Sequence, residues 1–466
     1  MEPLKPIIIS GREVLPLVEG GKGISISNGE SSGAWAASGG VGTFSGVNAD
    51  SYDAEGKLIA QVYHGRTRRE RHEELIAFAV AGGIHQARIA YEQSNGCGRI
   101  HMNVLWEMAA SEQVLHGVLE GAKGLINGVT CGAGMPYKIA EICARYGVYY
   151  YPIVSSARAF RALWKRAYHK FQDWLGGVVY EDPWLAGGHN GLSNSEDPTR
   201  PEAPHPRVVE LRRFMREECG LAKTPIFMAG GVWFLREWAD WLHDPDVAPV
   251  AFQFGTRPLL TAESPISDAW KRRLLTLHEG EVFLNRFSPT GFYSSAVNNP
   301  FVRELRDRSD RQVAYSSTPV GEHEWAFPVG ARSRTVYLTA ADKLRASDWV
   351  AKGFTEALRT PDSTLVFVTP EKANEILTDQ INCMGCLSAC QFSNWAQNEQ
   401  GTTGKKADPR SYCIQKTLQK ISHSEDTEEQ LMFAGHNAFR FKDDPFYANG
   451  FIPTVKQLVE RIQTGD

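Results

Sequence analysis

Long apolar runs are missing from this chain of 466 residues. No stretch approaches the roughly 20 consecutive apolar residues of a membrane-spanning helix, so a membrane partner is not expected. Charge of one sign is also scarce. The formal net charge is -4 at pH 7, which gives no electrostatic case for nucleic acid. The opening residues Met1-Glu-Pro-Leu-Lys-Pro lack the charged and apolar regions of an export signal. Cysteine is dilute as well. Eight thiols without such a signal point to a reducing compartment rather than a disulfide framework, and the expected location is the cytoplasm. What remains, 42% hydrophobic and 22% charged residues, is ordinary for a globular enzyme-sized chain. Two domains are a reasonable starting estimate for it.

Up to about residue 265, β-rich runs alternate with helical segments, the order expected of repeated βα units and a parallel sheet. The runs 99–104, 125–129, 148–154, 177–180, 225–228 and 249–254 each end in a polar or glycine-bearing turn. Apolar positions recur at helical spacing over 67–81 and 206–218. The predicted fold class is α/β: a (β/α)8 barrel over residues 1–310, with a smaller C-terminal α/β region over 311–466. In that second region, 334–338 and 364–368 read as strands, 341–358 and 371–380 as helices, and 453–462 as a short amphipathic helix. The charged run Arg303 to Arg311 reads as a solvated face. Between the two helical segments of the barrel half, Leu192 to Pro206 is rich in Ser, Asn, Asp and Pro. It reads equally as part of a lid or as a surface excursion.

In such a barrel the loops at the C-terminal strand ends build the active site. Two of them suit a phosphate, because glycine lets backbone N–H groups approach an anion closely. They are Ala229-Gly230-Gly231 and Gly255-Thr256, where the loops after the seventh and eighth strands should fall. Glycines that merely end strands are the competing explanation for either loop alone. A third segment, Ala186-Gly187-Gly188-His189-Asn190-Gly191, sets a histidine among glycines just past a strand. Imidazole can take or give a proton near neutrality.

The three segments in this order, with Glu263-Ser264 downstream, resemble the nitronate monooxygenase (2-nitropropane dioxygenase) family over roughly residues 10 to 300. The resemblance implies an FMN-dependent TIM barrel that oxidises a small carbon acid with oxygen. It makes His189 the catalytic residue near the flavin. It makes Gly187, Gly188, Ala229, Gly230, Gly231, Gly255 and Thr256 cofactor-binding residues. Asn103, after the strand 99–102, and Ser155, in Val154-Ser155-Ser156-Ala157, match more weakly as contacts to the isoalloxazine edge and ribityl chain. Asn28 is grouped with them. It ends Ile24-Ser-Ile-Ser-Asn28, which stands where the family carries a Pro-Met pair, and Asn190 replaces a basic residue often found after the histidine.

Beyond the resemblance, Cys383, Cys386 and Cys390 show Cys-x2-Cys-x3-Cys spacing, and Cys413 follows. Thiolates packed this closely hold iron–sulfur clusters or zinc. An iron–sulfur cluster is the first reading, structural zinc the second and an unliganded group the third. The spacing is similar to the cluster segment of the 2,4-dienoyl-CoA reductase and trimethylamine dehydrogenase flavoenzymes. A second function therefore stands beside the first: an NAD(P)H-dependent, enoyl-reductase-like FMN enzyme with an iron–sulfur electron relay. A third is a flavin- or metal-binding scaffold for a partner. A small-molecule substrate is expected in the first two, and self-association is left open.

Overall fold

A computed structural model describes residues 4–330 and 333–465. Its centre is a closed barrel of eight parallel strands, a TIM barrel. The strands run Leu17–Glu19, Val41–Ser45, Arg99–Leu105, Gly128–Gly132, Tyr149–Val154, Val178–Glu181, Ile226–Ala229 and Val250–Phe254. The eighth closes on the first through the register Phe252 to Leu17 and Phe254 to Glu19. The last six match the apolar runs of the sequence to within three residues at either end. The loops at 229–231 and 255–256 do follow the seventh and eighth strands.

Helices coat the barrel as the periodicity requires. The helix Arg68–Gln93 starts at a capping box in which Thr67 and Glu70 bond each other's backbone N–H. It continues past the expected end at Ala81 because Gly82 and Gly83 permit close packing: a Cβ on Gly83 would lie 2.5 Å from Val118 Cγ2. A second outer helix, Pro204–Glu217, begins with proline near its N-terminus, where the missing N–H costs nothing. The excursion before it lies along the surface. Arg207 holds it down by bonding Glu196 and Glu202, and Trp184 donates from its indole to Asp197 O.

The bottom of the barrel is stoppered by a hairpin, Ile7–Ile9 with Arg12–Val14. Its Ile9 and Val14 join Val18, Val41, Tyr151, Val179 and Phe227 in one apolar cluster. At the hairpin turn the Ser10 hydroxyl bonds the Tyr151 hydroxyl and His101 Nε2. The opposite end carries a small antiparallel sheet of Val282–Asn285, Ser294–Val297 and Gly188–His189.

Residues beyond 310 do two different things. Strands Gln312–Ala314, Glu356–Arg359 and Thr364–Val368, a hairpin of Trp325–Val329 with Arg334–Leu338, and helices Ala340–Ala351 and Pro370–Ile381 form a small lobe. It has its own core of Val313, Phe327, Val336, Leu338, Leu365 and Phe367. The first of these helices stops short of the expected 358, because Gly353 turns the chain at φ +95° and 356–359 becomes an edge strand. From Cys383 onward the chain leaves the lobe and wraps the mouth of the barrel. Ala109 N–H donates to Cys386 O at 3.0 Å, and Val297 N–H to Met432 O at 2.9 Å. The final helix, Val455–Gln463, buries Val455, Leu458, Val459 and Ile462 beside the helix Gly29–Ala37. Among the described residues no helix is long and apolar enough to cross a membrane.

Candidate functional site

A cavity opens at the C-terminal ends of the strands, where a barrel of this kind carries its chemistry. One wall is almost bare backbone. The turn after the first strand contributes Gly20, Gly21, Lys22 and Gly23, and the loops after the seventh and eighth contribute Ala229, Gly230, Gly231, Gly255 and Thr256. Gly230 and Gly231 sit at φ +82° and +79°, and a Cβ on Gly231 would lie 2.7 Å from Leu185 Cδ1. Only glycine fits there without strain. A Cβ on Gly255, by contrast, would meet no protein atom within 4 Å. Among the described residues, the backbone N–H groups of Gly230, Gly231, Gly255 and Thr256 donate to no protein acceptor. Four such donors on adjoining loops beside one cavity are a pattern suited to an anion.

His189 lines the same cavity, held by its backbone opposite Ser294. Its Nε2 bonds Ser288 Oγ at 2.6 Å, and its ring meets Phe433 edge-on at 5.4 Å. Ser288 is itself tied to Thr290 Oγ1 at 2.8 Å. Nδ1 has no partner among the described residues, so it remains available to a ligand. Burial pushes the imidazole down to about 4, and the ring is neutral near pH 7.

Glu181, at the end of the sixth strand, also faces the cavity. Burial, then the neighbouring Asp182, pushes its carboxyl up to about 8, so it is largely protonated at neutrality and can donate. Asp182 turns away and accepts from the N–H groups of Trp184 and Leu185. Lys22 is drawn below its ordinary range by burial, against the pull of Glu19, and donates to Gly20 O at 2.7 Å.

Of the residues singled out from sequence, His189, Gly187, Gly188, Ala229, Gly230, Gly231, Gly255, Thr256 and Asn103 all line this cavity. Asn28 and Ser155 do not. The Asn28 side chain accepts from Ser31 N–H as a helix N-cap. The first strand ends at Glu19, so the turn that reaches the cavity is Gly20 to Ile24, upstream of Asn28. Ser155 points at Gly191, and its carbonyl accepts from Arg207. Residues 192–206 do not line the cavity either.

The other wall comes from the C-terminal wrap and was not foreseen. Cys386, Leu387, Ile414, Leu418 and the run Leu431 to Gly435 complete the enclosure. Gly435 N–H donates to Thr256 Oγ1 at 2.9 Å, and Asn437 Nδ2 donates to Gly231 O at 2.6 Å. The wrap thus fastens onto both glycine loops through their oxygens and leaves their N–H groups alone. The one hint in the sequence was Ala434-Gly435-His436-Asn437, which echoes Gly187-Gly188-His189-Asn190.

Of the four clustered cysteines, Cys383 and Cys390 are buried, Cys386 and Cys413 are half-buried, and none is in a disulfide. Among the described residues no group of three or more His, Cys, Asp or Glu side chains is drawn round a single ion position. That supports neither the iron–sulfur nor the zinc reading.

No family model matches the sequence, and no curated protein matches it. Solved structures do. The enoyl reductase domain of MlnA from the macrolactin biosynthesis cluster of Bacillus amyloliquefaciens is 13% identical, with 97% of this chain and 93% of that one covered at a TM-score of 0.53. FabK from Thermotoga maritima is 14% identical over 97% and 92%, at 0.49. A nitroalkane oxidase from Streptomyces ansochromogenes is 14% identical over 97% and 95%, also at 0.49. At such identities the likeness is one of fold.

Proposed function

We propose that this chain is an FMN-dependent oxidoreductase acting on a small carbon acid of the nitronate type, with oxygen as electron acceptor. The observation that carries the reading is the set of four unengaged N–H groups at Gly230, Gly231, Gly255 and Thr256 in the cavity that His189 lines. The cradle fits the phosphate of FMN: it supplies backbone donors, and at Gly255 it leaves room a side chain would fill. Asn103, Gly187 and Gly188 line the same cavity as that cradle and His189 and would hold the remainder. The bound cofactor would supply a two-electron acceptor.

The protein's own part is to bind, orient and manage protons. A neutral His189, fixed through Nε2 by Ser288, presents Nδ1 to the ligand. With its basicity lowered by burial, the ring is poorly suited to deprotonating a weak carbon acid. It is well suited to a substrate that arrives already as an anion, whose charge it steadies and whose proton balance it adjusts. The protonated Glu181 offers a second donor in the same space. The apolar wrap, with Leu387, Ile414, Leu418 and Phe433, excludes water and limits substrate size.

Anaerobic mixing of flavin-loaded protein with alkyl nitronates tests the reading: the 450 nm flavin band should bleach and return with oxygen. A band that persists with every nitronate ends it. One observation favours a second reading, an NAD(P)H-dependent reductase of the enoyl type with an iron–sulfur relay, because Cys386 is part of the cavity wall. Rapid anaerobic bleaching by NAD(P)H, without bleaching by nitronates, would select it. Eight unpaired thiols suit the cytoplasm as the compartment for either.

A further inference from the structure

The wrap presents the helix Ile414–His423 to the main cavity. Ile414, Leu418 and Ile421 recur at helical spacing and line the cavity as an apolar stripe. Gln415 breaks that stripe. It is a polar residue of the first turn that lines the same cavity and is only 1% exposed.

A glutamine could stand there to tie the helix to its surroundings. Its polar neighbours do so: Lys416 donates to Asp379 at 2.9 Å, Thr417 to Cys413 O at 2.8 Å and Gln419 to Gln61 at 3.0 Å, and His423 pairs with Asp50 at 2.9 Å. Gln415 does not. Its amide nitrogen is buried and has no hydrogen-bond partner among the described residues. Among the described residues lining the cavity, it is the one buried side-chain polar atom left in that state. A buried amide without an acceptor has lost its water and gained nothing in return, so it destabilises the empty site and rewards a ligand that supplies an oxygen.

The backbone beside it has the same need. Cys413 caps the helix without a side-chain bond, and the N–H groups of Ile414 and Gln415 donate to no protein acceptor among the described residues. First-turn N–H groups carry the positive end of the helix dipole. The charges around the cavity do not oppose an anion. Of the Lys, Arg, Asp and Glu residues lining it, Lys22 is the cation and Glu181, largely protonated at neutrality, is the acid.

We propose that the Gln415 amide, with the backbone N–H groups of Ile414 and Gln415, binds the oxygens of a planar O–X–O anion, a nitronate or a carboxylate, whose alkyl part lies along Ile414, Leu418 and Ile421. These donors belong to the wrap wall, whereas those of Gly230, Gly231, Gly255 and Thr256 belong to the barrel loops, so substrate and cofactor phosphate are held from different sides. The site deepens the nitronate reading and rests on it for the reaction, but not for the binding of the anion. A neutral nitroalkane of the same shape carries less charge on its oxygens, and such a site selects the anion over it.

Calorimetric titration of the purified full-length protein with propionate, an unreactive anion of this class, tests the site. Nitroethane, neutral at pH 7 and of equal shape, is the control. Wild type should bind propionate about tenfold or more tightly than nitroethane. Gln415→Met keeps the length of the side chain and removes the amide. It should weaken propionate about 10- to 100-fold and leave nitroethane within a few-fold. Gln415→Glu, which sets a like charge at the site, should lose propionate at least as far. Without ligand, Gln415→Met should melt at the wild-type temperature or above it, because an unpartnered polar group has been removed.

Propionate bound equally by wild type and Gln415→Met, or not bound by wild type, overturns the site. A lower melting temperature in Gln415→Met also overturns it, by making the glutamine structural, and so does a loss of FMN binding in that variant, by making it a cofactor ligand. Propionate binding that depends on Gln415, without flavin bleaching by any nitronate, leaves the anion site standing and ends the nitronate reading. Bleaching by nitronates with propionate indifferent to Gln415 does the reverse.

Discussion

The two walls of the main cavity are made of different material. The barrel side offers peptide groups: glycine turns after the first, seventh and eighth strands, with the N–H groups of Gly230, Gly231, Gly255 and Thr256 unengaged among the described residues. The wrap side offers side chains, among them Leu387, Ile414, Leu418 and Phe433, with the Cys386 thiol. Backbone can grip a phosphate but says little about what else is bound. Side chains decide size, polarity and redox neighbours. Cofactor retention should therefore depend on the first wall, and substrate choice on the second.

The comparison breaks most readily at His189, which bridges the walls through Ser288 and Phe433. His189→Ala should lower kcat by about 10²–10⁴-fold while the protein stays yellow. Equal loss of flavin and activity would make the histidine a binding residue. Gly255→Ala probes the backbone wall alone. Its Cβ meets no protein atom, so the melting temperature of the flavin-free protein should not move. Flavin affinity should fall about 10- to 100-fold, the worth of one or two charge-assisted hydrogen bonds. Unchanged affinity, measured by fluorescence titration, would place the phosphate elsewhere.

Glu181→Gln sharpens the contrast through pH. The wild-type carboxyl is raised to about 8, so wild-type kcat/KM should fall as pH passes through 8, and the glutamine variant should lack that break. Stability follows the same sign: the stabilisation from proton uptake is complete below the unfolded pKa of about 4.5 and is lost as pH rises through 8. The variant's melting temperature should accordingly vary less between pH 6 and 9. The smallest effect belongs to Thr256→Val, which removes the acceptor for Gly435 N–H. A loss of about 1 kcal/mol in thermal or denaturant unfolding, with flavin affinity within a few-fold of wild type, would show that the walls are joined by oxygens and the ligand held by N–H groups.

Much of the barrel wall was legible because its signals are local. The runs around Ile226–Ala229 and Val250–Phe254 are apolar but for Gln253, as befits strands buried on both faces, and glycine marks their ends. The first two strands gave no such signal: Leu17–Glu19 has three residues, and Val41–Ser45 reads Val-Gly-Thr-Phe-Ser. Missing them shifted attention to Asn28 and away from the Gly20–Gly23 turn. The wrap was illegible for a different reason. Its contacts join residues far apart in the chain, such as Thr256 with Gly435 and Ala109 with Cys386, and no period or turn motif encodes such a pairing. Glu181 lay in plain sight at a strand end, but a carboxylate there looks like any surface acid until its burial is known.

Among the described residues the Ile7–Val14 hairpin caps one end of the barrel, and the wrap narrows the cavity at the other. An electron donor and a bulky electron acceptor then cannot pass each other inside. The first must depart before the second enters, and steady-state rates plotted against both should give the parallel lines of alternating visits.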